Sequence, residues 1–130
     1  MTVEPVPTPS APPVAGPYAP AVRAGDWLVL AGQLGLDPAT GRLAEGTRAQ
    51  AEQAMRNVEA VLRDCGASMR DVAKTTVFVT DLGDFAAVND VYGAAFADHR
   101  PARSTVQVAA LPGGARVEVE VWAYVPHGLG

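Results

Sequence analysis

The chain has one cysteine, no cluster of basic residues and no long apolar run, and each shortage removes a class of protein. With Cys65 alone among 130 residues, there is no internal disulfide and no cysteine-rich metal site. His99 and His127 lie apart, with no Cys or carboxylate at ligand spacing, so both read as surface residues and no metal is expected. Ten Lys and Arg stand against fourteen Asp and Glu, giving a net charge of -4, and the basic residues are scattered. That balance argues against a nucleic-acid or anionic-membrane partner. No apolar stretch is long enough to cross a bilayer. The start, Met1-Thr2-Val3-Glu4-Pro5, lacks the basic residues and apolar run of a signal peptide. A soluble, cytoplasmic protein is expected.

What is present suits one compact domain: 130 residues, 48% of them hydrophobic. Residues 1–14 are dominated by Pro5, Pro7, Pro9, Pro12 and Pro13, which predicts an extended, flexible tail. The domain is expected over residues 15–126, with residues 127–130 as a short C-terminal tail. Ala21 to Arg23 and Trp27 to Ala31 flank Gly25-Asp26 as a first hairpin, and Asp37 to Gly41 has turn chemistry. Thr47 and Gln50 have capping-box spacing. From there Ala51, Ala54, Met55, Val58, Val61, Leu62 and Cys65 recur at helical spacing, up to Gly66. Cys65 on that apolar side reads as core rather than as a nucleophile. Asp71 to Thr80 alternates as a strand, and Asp84 can cap a second helix with buried Phe85, Val88, Tyr92, Ala95 and Phe96. Gly93 inside that helix suggests a tight contact with the sheet.

Two alternating runs close the chain, Arg103 to Ala109 and Val117 to Val125, around Leu111-Pro112-Gly113-Gly114. They read as a hairpin. Alternation then places Arg103, Thr105 and Gln107 on one wall with Glu118, Glu120, Trp122 and Tyr124. In that register Gln107 faces Glu118, Thr105 faces Glu120 and Arg103 faces Trp122, so Glu120 is the acid nearer Arg103. Two aromatics beside an Arg and two carboxylates mark a face that a ligand or another subunit covers. The predicted order β-β-(β)-α-β-α-β-β gives an α+β domain with two helices on one face of a mixed sheet. The other face is left bare, carrying Lys74 and Thr76 or their alternates together with that wall, and association of several copies would cover it and place a pocket between them.

Several strings, in order, resemble the Rid (YjgF/RidA) family of enamine/imine deaminases. They are Gly16-Pro17-Tyr18, Ala31-Gly32-Gln33, Pro38-Ala39-Thr40-Gly41, Gln53 to Asn57, Val72 to Val79, Asp84-Phe85 to Val88-Asn89 with Tyr92, Pro101-Ala102-Arg103-Ser104, Leu111-Pro112 and Val117 to Glu120. The resemblance implies a chorismate-mutase-like α+β fold, a homotrimer with clefts between subunits, and cofactor-free hydrolysis of 2-aminoacrylate and related 2-imino acids. It implies that Arg103 clamps the substrate carboxylate, Glu118 handles the water or proton, and Tyr18 lines the pocket. Gly32 and Thr105 would offer backbone contacts, with Ala31, Asn89 and Pro112 nearby. Counting from the Pro-Ala-Arg-Ser string selects Glu118 as the acid, with Glu120 second. Family members commonly carry Ser at position 31 and Cys at position 105, where this chain has Ala31 and Thr105. Two other readings fit the same residues: an enzyme for a larger imine or enamine, and a non-catalytic binder of small carboxylates.

Overall fold

A computed structural model of the protein describes residues 2–126. The predicted C-terminal tail, residues 127–130 with His127, lies outside the described residues. Seven strands and two helices follow the chain as β1 (Val3–Pro5), β2 (Ala21–Ala24), β3 (Trp27–Leu30), β4 (Gln33–Leu34), α1 (Thr47–Asp64), β5 (Val72–Val79), α2 (Phe85–Phe96), β6 (Ala102–Gln107) and β7 (Val117–Tyr124). They form one mixed sheet in the order β1-β2-β3-β7-β5-β6, with β4 also on β7. Both helices pack on one face, as the apolar spacing predicts. Leu28, Val77, Val79, Val117, Val119 and Val121 of the sheet bury against Ala54, Val58, Val61 and Leu62 of α1 and Val88, Tyr92 and Phe96 of α2.

The closing hairpin does not exist. β6 pairs parallel to β5, and β7 pairs antiparallel to β5 on its other side. β5, α2 and β6 are a strand–helix–strand unit, which brings β6 back beside β5. Residues 108–116 then cross the end of β5, a connection far longer than a two-residue hairpin turn needs. Pro112–Gly114 still turns tightly, with Gly113 at φ 65° and Gly114 at φ 76°.

Residues 1–14 were expected to be a loose tail, but the described part is docked. Val3–Pro5 pairs with β2, and the Val6 amide donates to the Ala21 carbonyl. The Ser10 amide and hydroxyl both donate to the Asp64 carboxylate, at 2.8 and 2.9 Å. Pro12 is buried. Proline fixes the chain extended, and extended chain at the edge of a sheet can pair, so composition alone misled here.

Smaller corrections have equally local causes. The capping-box pair does not cap α1: Gly46 sits at its N-cap, the Thr47 hydroxyl donates to Asp84, and the Gln50 side-chain oxygen accepts the Arg116 amide. Phe85 is 38% exposed, and Val91 takes the buried place in α2 instead. Gly93 meets no sheet contact, since a Cβ there would find only the tip of Arg100 at 3.9 Å. His99 is half-buried, with its Nε2 2.7 Å from the Val72 carbonyl. Cys65 packs against the core, and burial, with Asp64 nearby, pushes its thiol pKa up, away from nucleophilic use.

After α2 the chain turns through Ala97, at φ 56° and ψ -116°, with the His99 amide donating to the Phe96 carbonyl. That backbone is the first corner of a type II′ turn, which favours glycine. Ala97→Gly should therefore raise stability by about 1 kcal/mol, relief of strain exceeding the added freedom of the unfolded chain. Urea unfolding would read this as a higher midpoint at unchanged slope.

Candidate functional site

Strand register decides which of the expected site residues can meet. Arg103 is level with Thr75 on β5, and Thr75 is level with Val121 on β7. Thr75 and Val121 are fully buried, and the Thr75 and Tyr92 hydroxyls lie 2.7 Å apart, so this row faces the helices. Glu118 is level with Phe78 and Glu120 with Thr76, one step out of phase, so both acids face away from the helices. The wall on which Arg103 shared a face with Glu118 and Glu120 is thus corrected. Trp122 and Tyr124 do lie on the acids' face, 46% and 47% exposed, with Trp27 packed edge-on to both.

Arg103 sits on the edge strand under α2. Its guanidinium carbon lies 4.8 Å from the Tyr92 ring centre and 5.6 Å from that of Phe85. Stacking of this kind orients the planar fork while leaving its N–H edge for an anion. Among the described residues it has no ion pair. Thr105 follows two residues on, on the same face, and Asn89 lies on α2 between Phe85 and Tyr92 at helical spacing. The Asn89 Oδ1 and the Thr105 Oγ1 are buried with no hydrogen-bond partner. The stacked guanidinium is the group here that can receive an anion, while the Asn89 oxygen can only accept from a donor and the Thr105 hydroxyl can do either.

A second cluster lies around Glu118. Glu118 pairs with Leu34 of β4 on one side and Phe78 of β5 on the other. Its carboxyl lies against Gly32, where a Cβ would come within 2.6 Å of the carboxyl carbon. The Ala31 amide donates to the Pro20 carbonyl, and two bonds from the Asn57 amide to the Leu34 and Leu36 carbonyls hold β4 onto α1. Tyr18, Ala31, Gly32, Pro112 and Glu118 line one cleft of about 390 Å³, and no basic side chain among the described residues lines it. Burial first, and the neighbouring Glu120 second, push the Glu118 pKa above its ordinary value. A half-buried carboxyl of that kind suits proton transfer. Gly32→Ala should displace the Glu118 carboxyl and lower any Glu118-dependent rate by ten- to a hundredfold, while the melting temperature moves by only a few degrees.

The structure therefore gathers Tyr18, Ala31, Gly32, Pro112 and Glu118 in one place, and Asn89, Arg103 and Thr105 in another. Glu120 stands beside Glu118 on the open face. Sequence reasoning missed that Pro12, Pro13, Val14 and Ala15 also wall the Glu118 cleft. Among the described residues, no group of three or more His, Cys, Asp or Glu side chains is placed to hold a metal ion. No helix there is long and apolar enough to cross a membrane.

Comparison with known proteins agrees with this arrangement of elements. The family described as Endoribonuclease L-PSP matches residues 8–125. A RutC family protein of Sinorhizobium fredii is 46% identical over 91% of this chain and 94% of its own. A 2-iminobutanoate/2-iminopropanoate deaminase of Salmonella typhimurium is 45% identical over 89% of this chain and 93% of its own. The crystal structure of RidA from an Antarctic Psychrobacter superposes with a TM-score of 0.89 at 46% identity, covering 92% of this chain and 98% of that one. A full-length match of sequence and fold at these identities leaves one assignment: the chain belongs to the endoribonuclease L-PSP (YjgF/RidA) family.

Proposed function

We propose that the protein is a hydrolytic deaminase that converts reactive 2-imino and enamine acids, such as 2-aminoacrylate, to 2-keto acids and ammonia. Its site forms where copies of a homotrimer meet, with Arg103 of one copy brought to Glu118 of the next. One observation carries this reading. Among the described residues, each chain has a cation without an acid and a half-buried acid without a cation, on opposite faces of its sheet. A second copy laid on the bare face supplies the missing partner to each. The name of the Salmonella relative gives independent support for the reaction. A cytoplasmic location fits a chain with a single cysteine.

The chemistry follows from the groups. The Arg103 fork binds the substrate carboxylate through two parallel hydrogen bonds. An enamine substrate takes a proton from solvent at its β-carbon to become the protonated imine, whose C2 is electrophilic. Glu118 takes a proton from water as the water oxygen bonds to C2. It then returns that proton to the nitrogen of the carbinolamine, and as the C–N bond breaks the hydroxyl proton passes to solvent, so that ammonia and the 2-keto acid leave. The substrate is already reactive, so positioning and one proton carrier supply the acceleration. The family's ribonuclease description fits this chain poorly. A polyanion would meet a net charge of -4 and scattered basic residues. The test is to generate 2-aminoacrylate in the presence of the protein and follow pyruvate and ammonia. Release no faster than in buffer would rule the reaction out.

A further inference from the structure

The walls of the Glu118 cleft are made in large part by the N-terminal arm: Pro12, Pro13, Val14 and Ala15 line it together with Leu34 and Leu36. The arm is fixed at two points away from the cleft. Its start is stitched to β2, and Ser10 makes two hydrogen bonds to Asp64 at the end of α1. The lining residues follow directly on the Ser10 latch, where Pro12 and Pro13 hold the backbone stiff, and Pro12 is buried. A space of about 390 Å³ exceeds what a three-carbon imino acid fills. Beyond Tyr18, Gln33 and Glu118 the lining is apolar, and the one charge in it is negative.

From this we infer that the latched arm is a specificity-determining wall, and that it selects 2-imino acids with an uncharged aliphatic side chain of about four carbons over small or acidic ones. The inference rests on the deaminase reading and deepens it. Each methylene buried against the arm favours binding by about fourfold. An acidic side chain would be desolvated beside Glu118, while the one cation of the proposed site, Arg103 of the next copy, is already held by the substrate's own carboxylate. Because the arm is fixed before substrate arrives, no ordering cost offsets that gain.

Two measurements on the full chain test it. The first is the ratio of affinities for 4-methyl-2-oxopentanoate and pyruvate, stable oxo-acid products, by calorimetry. The second is the ratio of kcat/KM for the imine of leucine and for 2-aminoacrylate. In the unsubstituted protein both ratios should be tenfold or more. Asp64→Ala unlatches the arm from outside the cleft and should lower both ratios at least fivefold, leaving 2-aminoacrylate turnover within twofold. Ser10→Ala should do the same in smaller measure, and Val14→Asp should remove the preference altogether. Equal loss on large and small ligands, or a wild-type ratio near one, would overturn the inference. The two ideas fail separately. Turnover with unmoved ratios removes only the arm's role, and a moved affinity ratio without turnover of any imine removes only the deaminase.

Discussion

Arg103→Ala should lower kcat/KM on 2-aminoacrylate by about a thousandfold, and mixing it with Glu118→Gln should bring about a quarter of the lost activity back. The first figure follows from removing two charge-assisted hydrogen bonds to the substrate carboxylate, together about 4 kcal/mol. Arg103→Lys keeps the charge but loses the planar fork and the stacking over Tyr92 and Phe85, so it should recover only part of the rate. The second figure follows from register. Arg103 and Glu118 lie on opposite faces of one chain's sheet, and the proposed site takes its cation from one copy and its acid from another. In a randomly assembled mixture, half of the cation positions and half of the acid positions are intact, and about one site in four has both. Co-expression or joint refolding of the two variants, followed by the pyruvate assay, reads this directly. A mixture no better than the sum of its parts would place both groups in one chain's site, against the register.

Why sequence reading reached the site but not its geometry is visible in particular residues. The helices were legible because Ala51, Ala54, Val58, Val61 and Leu62 mark one helical face, and that face is buried. Strand positions were legible because alternation along Val72–Val79 and Val117–Tyr124 matches burial on the helix side. Pairing was not. Alternation fixes which residues of one strand share a face, but it holds no information on the neighbouring strand or on phase between strands. Inserting β5 between β6 and β7 was enough to move Arg103 across the sheet from Glu118. Thr47 and Gln50 show the same limit, since their spacing is local while their partners, Asp84 and Arg116, are distant in sequence. The arm failed for a different reason. Prolines exclude a helix, but Ser10 reaching Asp64 leaves no local signal.

Glu118→Gln should cost a hundred- to ten-thousandfold in kcat and yet, in an Arg103→Ala background where no guanidinium reaches the carboxyl, raise the melting temperature at neutral pH, and the sign of the second effect comes from the carboxyl's surroundings. Burial against Gly32 and the nearby Glu120 raise the folded-state pKa of Glu118 above its ordinary 4.5. The folded chain therefore holds that proton more tightly than the unfolded chain does. Its contribution to stability is full below the ordinary value and is lost as pH rises through the raised one. Glutamine keeps the shape without the charge, so the gain should be present at pH 7 and absent near pH 4. Glu120 gives a second handle on the same group. Its negative charge opposes ionisation of Glu118, so Glu120→Gln should let Glu118 ionise at lower pH. A base must be ionised to accept a proton from water. The acid limb of the kcat/KM profile should then move to lower pH in Glu120→Gln, with the plateau rate within tenfold of the parent. An acid limb that stays in place or moves upward would remove Glu118 as the titrating base. A Glu120→Gln plateau as low as that of Glu118→Gln would make Glu120 the proton carrier instead, since a neighbour that only tunes a pKa shifts the profile without erasing it.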